Sequence, residues 1–181
     1  MILIINTANN GIDLVLDDHI KHVDAEKQAI ALPVAIEQFL HDINVEMSAL
    51  TAIGVIIGPG SFTGIRLGIA YAKGLALGLN IPIVPVNAFE LYLAESPDAF
   101  VAIESGRGDF FVGAANLEPQ TMEIEELETR QMAWPRTVGH KPFNLKLATD
   151  IVRKKLDSGN HEPVIPMYLR PSYAEENHKD K

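Results

Sequence analysis

Gly58-Pro59-Gly60-Ser61-Phe62-Thr63-Gly64 is the stretch of sequence that decides the fold. It follows an apolar run at 53–57 that is typical of a buried strand, and it precedes a long helical pattern without proline. The stretch therefore predicts a strand, a tight turn and a helix, with a hydroxyl from Ser61 or Thr63 capping the helix. Because helix N-termini offer free N–H donors, Gly58, Gly60 and Ser61 are candidates for a weak nucleotide or phosphate site. No Lys-Ser or Lys-Thr pair closes the turn, which excludes a Walker A loop.

The helix that follows contains four glycines, Gly64, Gly68, Gly74 and Gly78. A glycine inside a helix costs roughly 0.5–1 kcal/mol relative to alanine, so something must offset four of them. Bare backbone one turn apart lets another element approach closely. Two explanations stay open at this point: packing of the helix onto its own sheet, or a close-packed subunit interface.

The order of predicted elements indicates an α/β protein. Three strands at 2–6, 12–16 and 20–23 are followed by a helix within 25–43, and then by strand, helix, strand and short helix up to residue 94. This β-β-β-α-β-α-β-α order matches a ribonuclease-H-like unit, the building block of actin-like (ASKHA) folds. Strands at 101–103 and 109–115 begin a second, abbreviated unit. We predict subdomains at 1–98 and 99–172 and a disordered tail at 173–181.

Composition narrows the class of protein. The 181 residues include 47% hydrophobic residues and no cysteine, which excludes disulfides and thiolate chemistry. With 15 basic against 24 acidic residues, the net charge of −9 argues against independent binding of RNA. Neither a signal peptide nor a membrane-length apolar stretch is visible, so a cytoplasmic location without membrane contact is expected.

Few residues suit catalysis. Asn6 stands where actin-like ATPases need a carboxylate for Mg²⁺, so we predict that Asn6 and Thr7 bond their own turn instead. Glu104 and Asp109 are the acidic candidates for a general base, but a solvated hairpin carboxylate paired with Arg107 is favoured. The histidines have no metal-ligand spacing, so no metal site is predicted. Ser61 lacks the flanking residues of a nucleophile elbow.

Several motifs resemble the TsaB (YeaZ) family. The main one is Gly-Pro-Gly-Ser-Phe-Thr-Gly-Ile-Arg-Leu-Gly at 58–68, followed by Ala-Lys-Gly-Leu-Ala at 72–76. Shorter matches are Ala-Ile-Glu-Ser-Gly-Arg-Gly-Asp-Phe-Phe at 102–111, Pro-Met-Tyr-Leu-Arg-Pro at 166–171 and an opening hairpin. The resemblance covers about residues 1–115 and 163–172, and leaves the stretch between them without a counterpart.

The resemblance implies a scaffold or activator subunit without catalytic residues. It implies a complex that forms N6-threonylcarbamoyladenosine at position 37 of tRNAs reading codons that begin with A. Its members would be a TsaD-like catalytic subunit and a TsaE-like ATPase, with tRNA bound only through the complex. The chain itself would need no cofactor, although ATP or ADP is compatible with the whole complex. Alone, it is expected to form a homodimer through the same surface.

The expected interface lies on the two helices of the first subdomain. Its predicted residues are Leu32, Ile36, Phe39, Phe62, Gly64, Ile65, Leu67, Gly68 and Tyr71. The alternative function is a small ATP-dependent kinase or phosphatase of the actin-like superfamily, using residues 58–64 to cradle phosphate.

Overall fold

The computed structural model describes residues 1–159 and 162–170. The chain forms two compact units, each described separately below. Unit 1 combines Met1–Asn87 with Leu145–Pro166, and unit 2 combines Ala88–Asn144 with the described residues from Met167 onward. The boundary therefore differs from the predicted division at 98/99. The predicted tail at 173–181 lies outside the described residues.

Strands and helices alternate along the described chain. The strands are β1 (Ile2–Asn6), β2 (Ile12–Leu16), β3 (His19–Val23), β4 (Ala52–Ile56), β5 (Ile83–Val86), β6 (Phe100–Glu104), β7 (Asp109–Ala114), β8 (Leu117–Glu123) and β9 (Thr137–Val138). The helices are α1 (Gln28–Asp42), α2 (Phe62–Leu79), α3 (Ala88–Glu95), α4 (Ile124–Arg130) and α5 (Leu147–Asp157). Short 3₁₀ turns lie at Met47–Ala49 and Gln131–Ala133.

Unit 1 is built on a five-stranded mixed sheet in the order β3-β2-β1-β4-β5. β1 pairs antiparallel with β2 and parallel with β4, and β4 pairs parallel with β5. Every residue of β1 and β4 is buried, which explains why these strands read as continuous apolar runs rather than alternating ones. The order is that of the predicted ribonuclease-H-like unit.

Helices cover both faces of this sheet. A Cβ added at Gly54 would meet Val152 of α5, whereas Val55 is a neighbour of a Cβ added at Gly68 of α2. Consecutive residues of a strand point to opposite faces, so α2 and α5 lie on opposite sides. The helix predicted at 145–156 therefore exists as α5, but it belongs to unit 1 and not to the second subdomain.

Unit 2 contains a four-stranded sheet in the order β8-β7-β6-β9. β6 pairs antiparallel with β7 and parallel with β9, which repeats the β3-β2-β1-β4 arrangement of unit 1. Within the described residues the counterpart of β5 is absent, so the second unit is abbreviated as predicted. Phe100, Val112, Met122 and Leu127 form the core on one side, and Ala88, Phe89, Tyr92 and Val101 form a second cluster.

In the part of the chain described here, none of the helices combines the length and apolar character that a bilayer crossing requires.

Candidate functional site

The start of α2 is tied to the end of β1. The Ser61 side chain accepts a hydrogen bond from the Gly64 N–H at 3.2 Å, which confirms the predicted N-cap. The Ser61 N–H donates to the carbonyl of Ala8 at 2.7 Å. The Thr7 hydroxyl donates to the carbonyl of Gly64 at 2.7 Å. The bonds to Ala8 and from Thr7 hold the glycine-rich turn against the first hairpin, and the Ser61 cap closes the helix start itself.

The first two glycines of α2 serve packing inside unit 1. A Cβ at Gly64 would overlap the backbone carbonyl of Thr7, and a Cβ at Gly68 would overlap the Thr7 hydroxyl. By contrast, a Cβ at Gly74 or Gly78 would meet nothing within 4 Å. The four glycines therefore divide: the first pair allows α2 to approach β1, and the second pair faces outward.

This division corrects the predicted interface. Six of its nine residues are buried within unit 1, so they do not belong to an outward face: Leu32, Ile36, Phe39, Gly64, Ile65 and Gly68. The error arose because the apolar stripe of an amphipathic helix faces its own sheet. Phe62, Leu67 and Tyr71 are partly exposed, and their role in an interface stays a prediction.

The outward side of α2 carries an apolar stripe, which we call the α2 face. It consists of Leu67, Ala70, Tyr71, Gly74, Leu77 and Gly78. These positions recur every three or four residues and so share one side of the helix. Leu77 has 84% of its surface exposed, and Ala70, Gly74 and Gly78 are not covered by any of the described residues of unit 1. Sequence reasoning missed Leu77, although its ten-residue spacing from Leu67 was the available signal.

Tyr71 lies where the α2 face meets α1. Burial raises the pKa of the Tyr71 hydroxyl, and the negative charge of Glu37 on α1 raises it further. The ring therefore stays neutral and contributes its apolar surface to the stripe.

The candidate phosphate turn borders an open cavity of about 390 Å³. Ser61 lines this cavity together with the acidic residues Asp24 and Glu26. Two of the turn's donors, the N–H groups of Ser61 and Gly64, already have acceptors within the chain. Phosphate binding at Gly58, Gly60 and Ser61 stays a prediction, and the neighbouring negative charge disfavours it.

Asn6 bonds its own turn, as predicted, whereas the prediction is wrong for Thr7, whose hydroxyl donates to Gly64 of α2 instead. The Asn6 amide nitrogen donates to Asp13 at 2.9 Å, and its oxygen accepts from the Ala8 N–H at 3.0 Å. Both Asn6 and Thr7 are 1% exposed. The remaining oxygen of Asp13 contacts Nδ1 of His22 at 2.6 Å. The position that would hold a metal-binding carboxylate is thus used to close the hairpin.

His22 stands between two carboxylates. Its Nδ1 faces Asp13 and its Nε2 faces Asp24 at 3.1 Å, so both ring nitrogens donate only in the imidazolium form. The hydrogen bonds from Asp13 and then Asp24 raise the pKa of His22 above its ordinary value of 6.5. Sequence reasoning, which looked for metal-ligand spacing among the histidines, missed this cluster.

The acidic candidates of unit 2 have different surroundings. Glu104 is exposed at the end of β6, as expected for a solvated hairpin carboxylate. Asp109 is hydrogen-bonded to Ser105 and forms an ion pair with Arg170. Burial alone would raise the pKa of Asp109, but the hydrogen bonds from Ser105 and Arg170 outweigh burial and lower it. The ion pair joins the motif at 102–111 to the motif at 166–171, and the sequence alone does not indicate that these two motifs pair.

Comparison with known proteins places the chain in a family. The family model for TsaD, tRNA N6-adenosine threonylcarbamoyltransferase, matches residues 23–128, which is more than half of the chain. The tRNA threonylcarbamoyladenosine biosynthesis protein TsaB of Bacillus subtilis is 32% identical over 123 residues, covering 62% of this chain and 53% of the relative. The tRNA N6-adenosine threonylcarbamoyltransferase of Geotalea daltonii is 35% identical over 74 residues, covering 41% of this chain and 22% of the relative.

These relatives are longer than the matched region, and the chain spans about half or less of their length. Among solved structures, YeaZ from Pseudomonas aeruginosa has a TM-score of 0.71 at 18% identity and covers 93% of this chain and 99% of its own. That likeness confirms the predicted α/β actin-like fold. The chain therefore belongs to the family of the TsaD model, whose description is tRNA N6-adenosine threonylcarbamoyltransferase, and it is similar to the TsaB (YeaZ) proteins that its motifs resemble.

Proposed function

We propose that this chain is the non-catalytic scaffold subunit of the complex that forms N6-threonylcarbamoyladenosine at position 37 of tRNAs reading codons that begin with A. The observation that carries the proposal is the α2 face, an uncovered apolar stripe on a helix whose other side is fully packed. An exposed apolar stripe of this kind marks a protein interaction surface. The names of the TsaB relatives supply the reaction to which the scaffold belongs.

The polar groups of the chain support a role without chemistry. Asn6 stands where actin-like ATPases have a metal-binding carboxylate. Its side-chain amide donates to Asp13 and accepts a hydrogen bond from the N–H of Ala8. Asp109 is engaged by Ser105 and Arg170. Asn6 has no carboxylate, and that of Asp109 is already paired, so neither residue offers the free carboxylate that a magnesium site or a general base needs.

The proposed partner at the α2 face is the TsaD-like catalytic subunit. Because the TsaD-like subunit is homologous to this chain, it would offer a helix equivalent to α2 for packing against the α2 face. Gly74 and Gly78 would let the backbones of the two helices approach closely. In its absence, a second copy of the chain would cover the same stripe as a homodimer. A TsaE-like ATPase would complete the complex. ATP or ADP would bind to the assembled complex and not to this chain alone. The complex would work in the cytoplasm.

The net charge of −9 leaves tRNA binding to the other subunits. An acidic chain repels the phosphate backbone, which dominates the affinity of proteins for nucleic acid. The chain would thus contact tRNA only as a member of the complex.

The test is reconstitution of the modification from purified subunits of the same organism, with tRNA and a source of threonylcarbamoyl adenylate. We expect modification to require this chain and to proceed at an unchanged rate with Glu104→Gln, because Glu104 is solvated and takes no part. A full rate without the chain would refute the scaffold role. A loss of about a hundredfold or more with Glu104→Gln would refute the non-catalytic role.

The kinase or phosphatase alternative has its own test. Calorimetric titration of the isolated chain with ATP, with and without Mg²⁺, should give no tight magnesium-dependent binding and no hydrolysis. The physical reason is that a neutral amide at Asn6 replaces the carboxylate that would hold the ion. Tight magnesium-dependent binding accompanied by hydrolysis would favour the alternative.

A further inference from the structure

A second surface of unit 1 has features of a binding groove. Two open depressions, of about 390 and 380 Å³, lie side by side between the end of β3 and α1. Asp24 and Ala25 line both of them, so the two depressions adjoin at these residues. We call this combined feature the α1 groove. It shares no residue with the α2 face.

The two ends of the groove differ in chemistry. The residues that line the polar end include the acidic Asp24 and Glu26 and the amide-bearing Asn9 and Asn10. Among the described residues that line it there is no basic side chain. The Asp24 side chain is fully exposed, and the single positive charge of His22 is shared between Asp13 and Asp24, so together with Glu26 this end keeps a net negative charge. A cationic group is therefore the complement of this end.

The other end is apolar. Ile30 and Val34 lie one turn apart on α1, and 70% and 49% of their surfaces are exposed. Val23 of β3 and the neighbouring alanines also line this end, and its polar residues are Lys27 and Gln38 beside the shared Asp24. Aliphatic side chains of this exposure are typically covered by another apolar surface in a functional assembly.

The walls of the groove are fixed before any ligand arrives. The Gln28 amide donates to the carbonyls of Asn9 at 3.1 Å and Gly11 at 2.5 Å, which holds the β1–β2 turn against α1. His22 holds Asp24 through Nε2. A pre-formed site loses less conformational entropy on binding than a flexible one.

We propose that the α1 groove binds a segment of a partner protein in which an arginine or lysine lies beside aliphatic residues. The cation pairs with Asp24 and Glu26, and the aliphatic side chains cover Ile30 and Val34. This juxtaposition of an acidic end and an apolar end selects against acidic segments and nucleic acid, which the two carboxylates repel. The proposal does not depend on the function proposed above.

The test is an NMR titration of the full-length ¹⁵N-labelled chain. The probe is the capped peptide acetyl-Arg-Gly-Leu-Leu-Gly-amide, and the matched control probe replaces its arginine with glutamate. We expect saturable shifts of the amides of Asn9, Asn10, Ile30 and Val34, with at least about fivefold tighter binding of the arginine peptide. Higher salt should reduce the difference between the two peptides.

Variants locate the effect. The double substitution Asp24→Asn with Glu26→Gln removes two exposed charges and should weaken the arginine peptide at least about fivefold. Glu128→Gln in unit 2 and Leu77→Asp on the α2 face should leave its affinity unchanged, which separates this proposal from the scaffold function. The proposal is overturned if both peptides bind equally, if the shifts lie outside the groove, or if no saturable shift occurs at millimolar peptide. Concentration-dependent shifts of the same amides without peptide would also overturn it, by assigning the groove to a second copy.

Discussion

At the residue scale, two glycines on one helix have opposite surroundings. Gly64 leaves no room for a Cβ beside the carbonyl of Thr7, whereas Gly74 faces open space. We expect Gly64→Ala to lower the free energy of unfolding by about 3 kcal/mol through steric overlap. Gly74→Ala should raise it by about 0.5–1 kcal/mol through helix propensity. Urea unfolding of the two variants measures both values. Equal effects would contradict the assignment of Gly64 to packing and Gly74 to the surface.

His22 gives the second prediction at this scale. Its pKa is raised by Asp13 and Asp24, so the imidazolium adds stability that is fully present below the ordinary pKa of 6.5. That contribution is lost as the pH rises through the higher pKa of the folded state. The difference in unfolding free energy between the wild type and His22→Gln should therefore shrink as the pH rises above 6.5. A difference that grows with pH would mean that His22 is neutral in the fold.

At the element scale, an ion pair connects the start of β7 to the segment at 166–170. Asp109 and Arg170 have 14% and 17% of their side chains exposed, so water screens the pair little. Removing one partner leaves a charge without its hydrogen bonds, and we expect Asp109→Asn to destabilise the protein by about 2 kcal/mol in urea unfolding. The Arg170→Met single and double variants complete the cycle. Additive effects in that cycle would show that the two side chains are not coupled.

The same pair predicts an acid dependence. The pKa of Asp109 is lowered, so its contribution is present above the ordinary carboxyl pKa of 3.8 and is lost as the pH falls through the lowered value. The stability gap between the wild type and Asp109→Asn should thus be constant near neutrality and narrow below about pH 4. Unfolding curves at a series of acidic pH values check this, and a gap that widens in acid would contradict it.

Sequence reasoning succeeded with elements whose pattern is strong. β1, β2 and β4 consist mostly of buried apolar residues, and their predicted bounds agree closely with the structure. β8 was missed because only Met122 among its residues is buried, so its sequence has little periodicity. α4 was missed for the same reason, since Leu127 is its one buried residue. A period of two or of 3.6 is visible only where a whole face is buried.

At the scale of the whole molecule, the sequence predicted the class of fold. It did not predict that the chain, after forming most of unit 2, comes back to unit 1 with α5. α5 lies 60 residues beyond β5 and packs back onto the first sheet, where Val152 approaches Gly54. Its amphipathic pattern indicates a helix, and it carries no information on which sheet receives it. Prediction of the candidate site was limited in the same way. The spacing of apolar residues located α1 and α2, but it did not distinguish the side of each helix that faces the sheet from the side that faces outward.

The measurement that tests the central claim most directly is the affinity of this chain for the TsaD-like protein of the same organism. Isothermal calorimetry compares the wild type with Leu77→Asp on the α2 face and with Met132→Asp in unit 2, where the side chain is 83% exposed. We predict that Leu77→Asp weakens binding by about tenfold or more, because a buried charge replaces an apolar contact, and that Met132→Asp leaves binding unchanged. Unaltered binding by a folded Leu77→Asp variant would contradict the account.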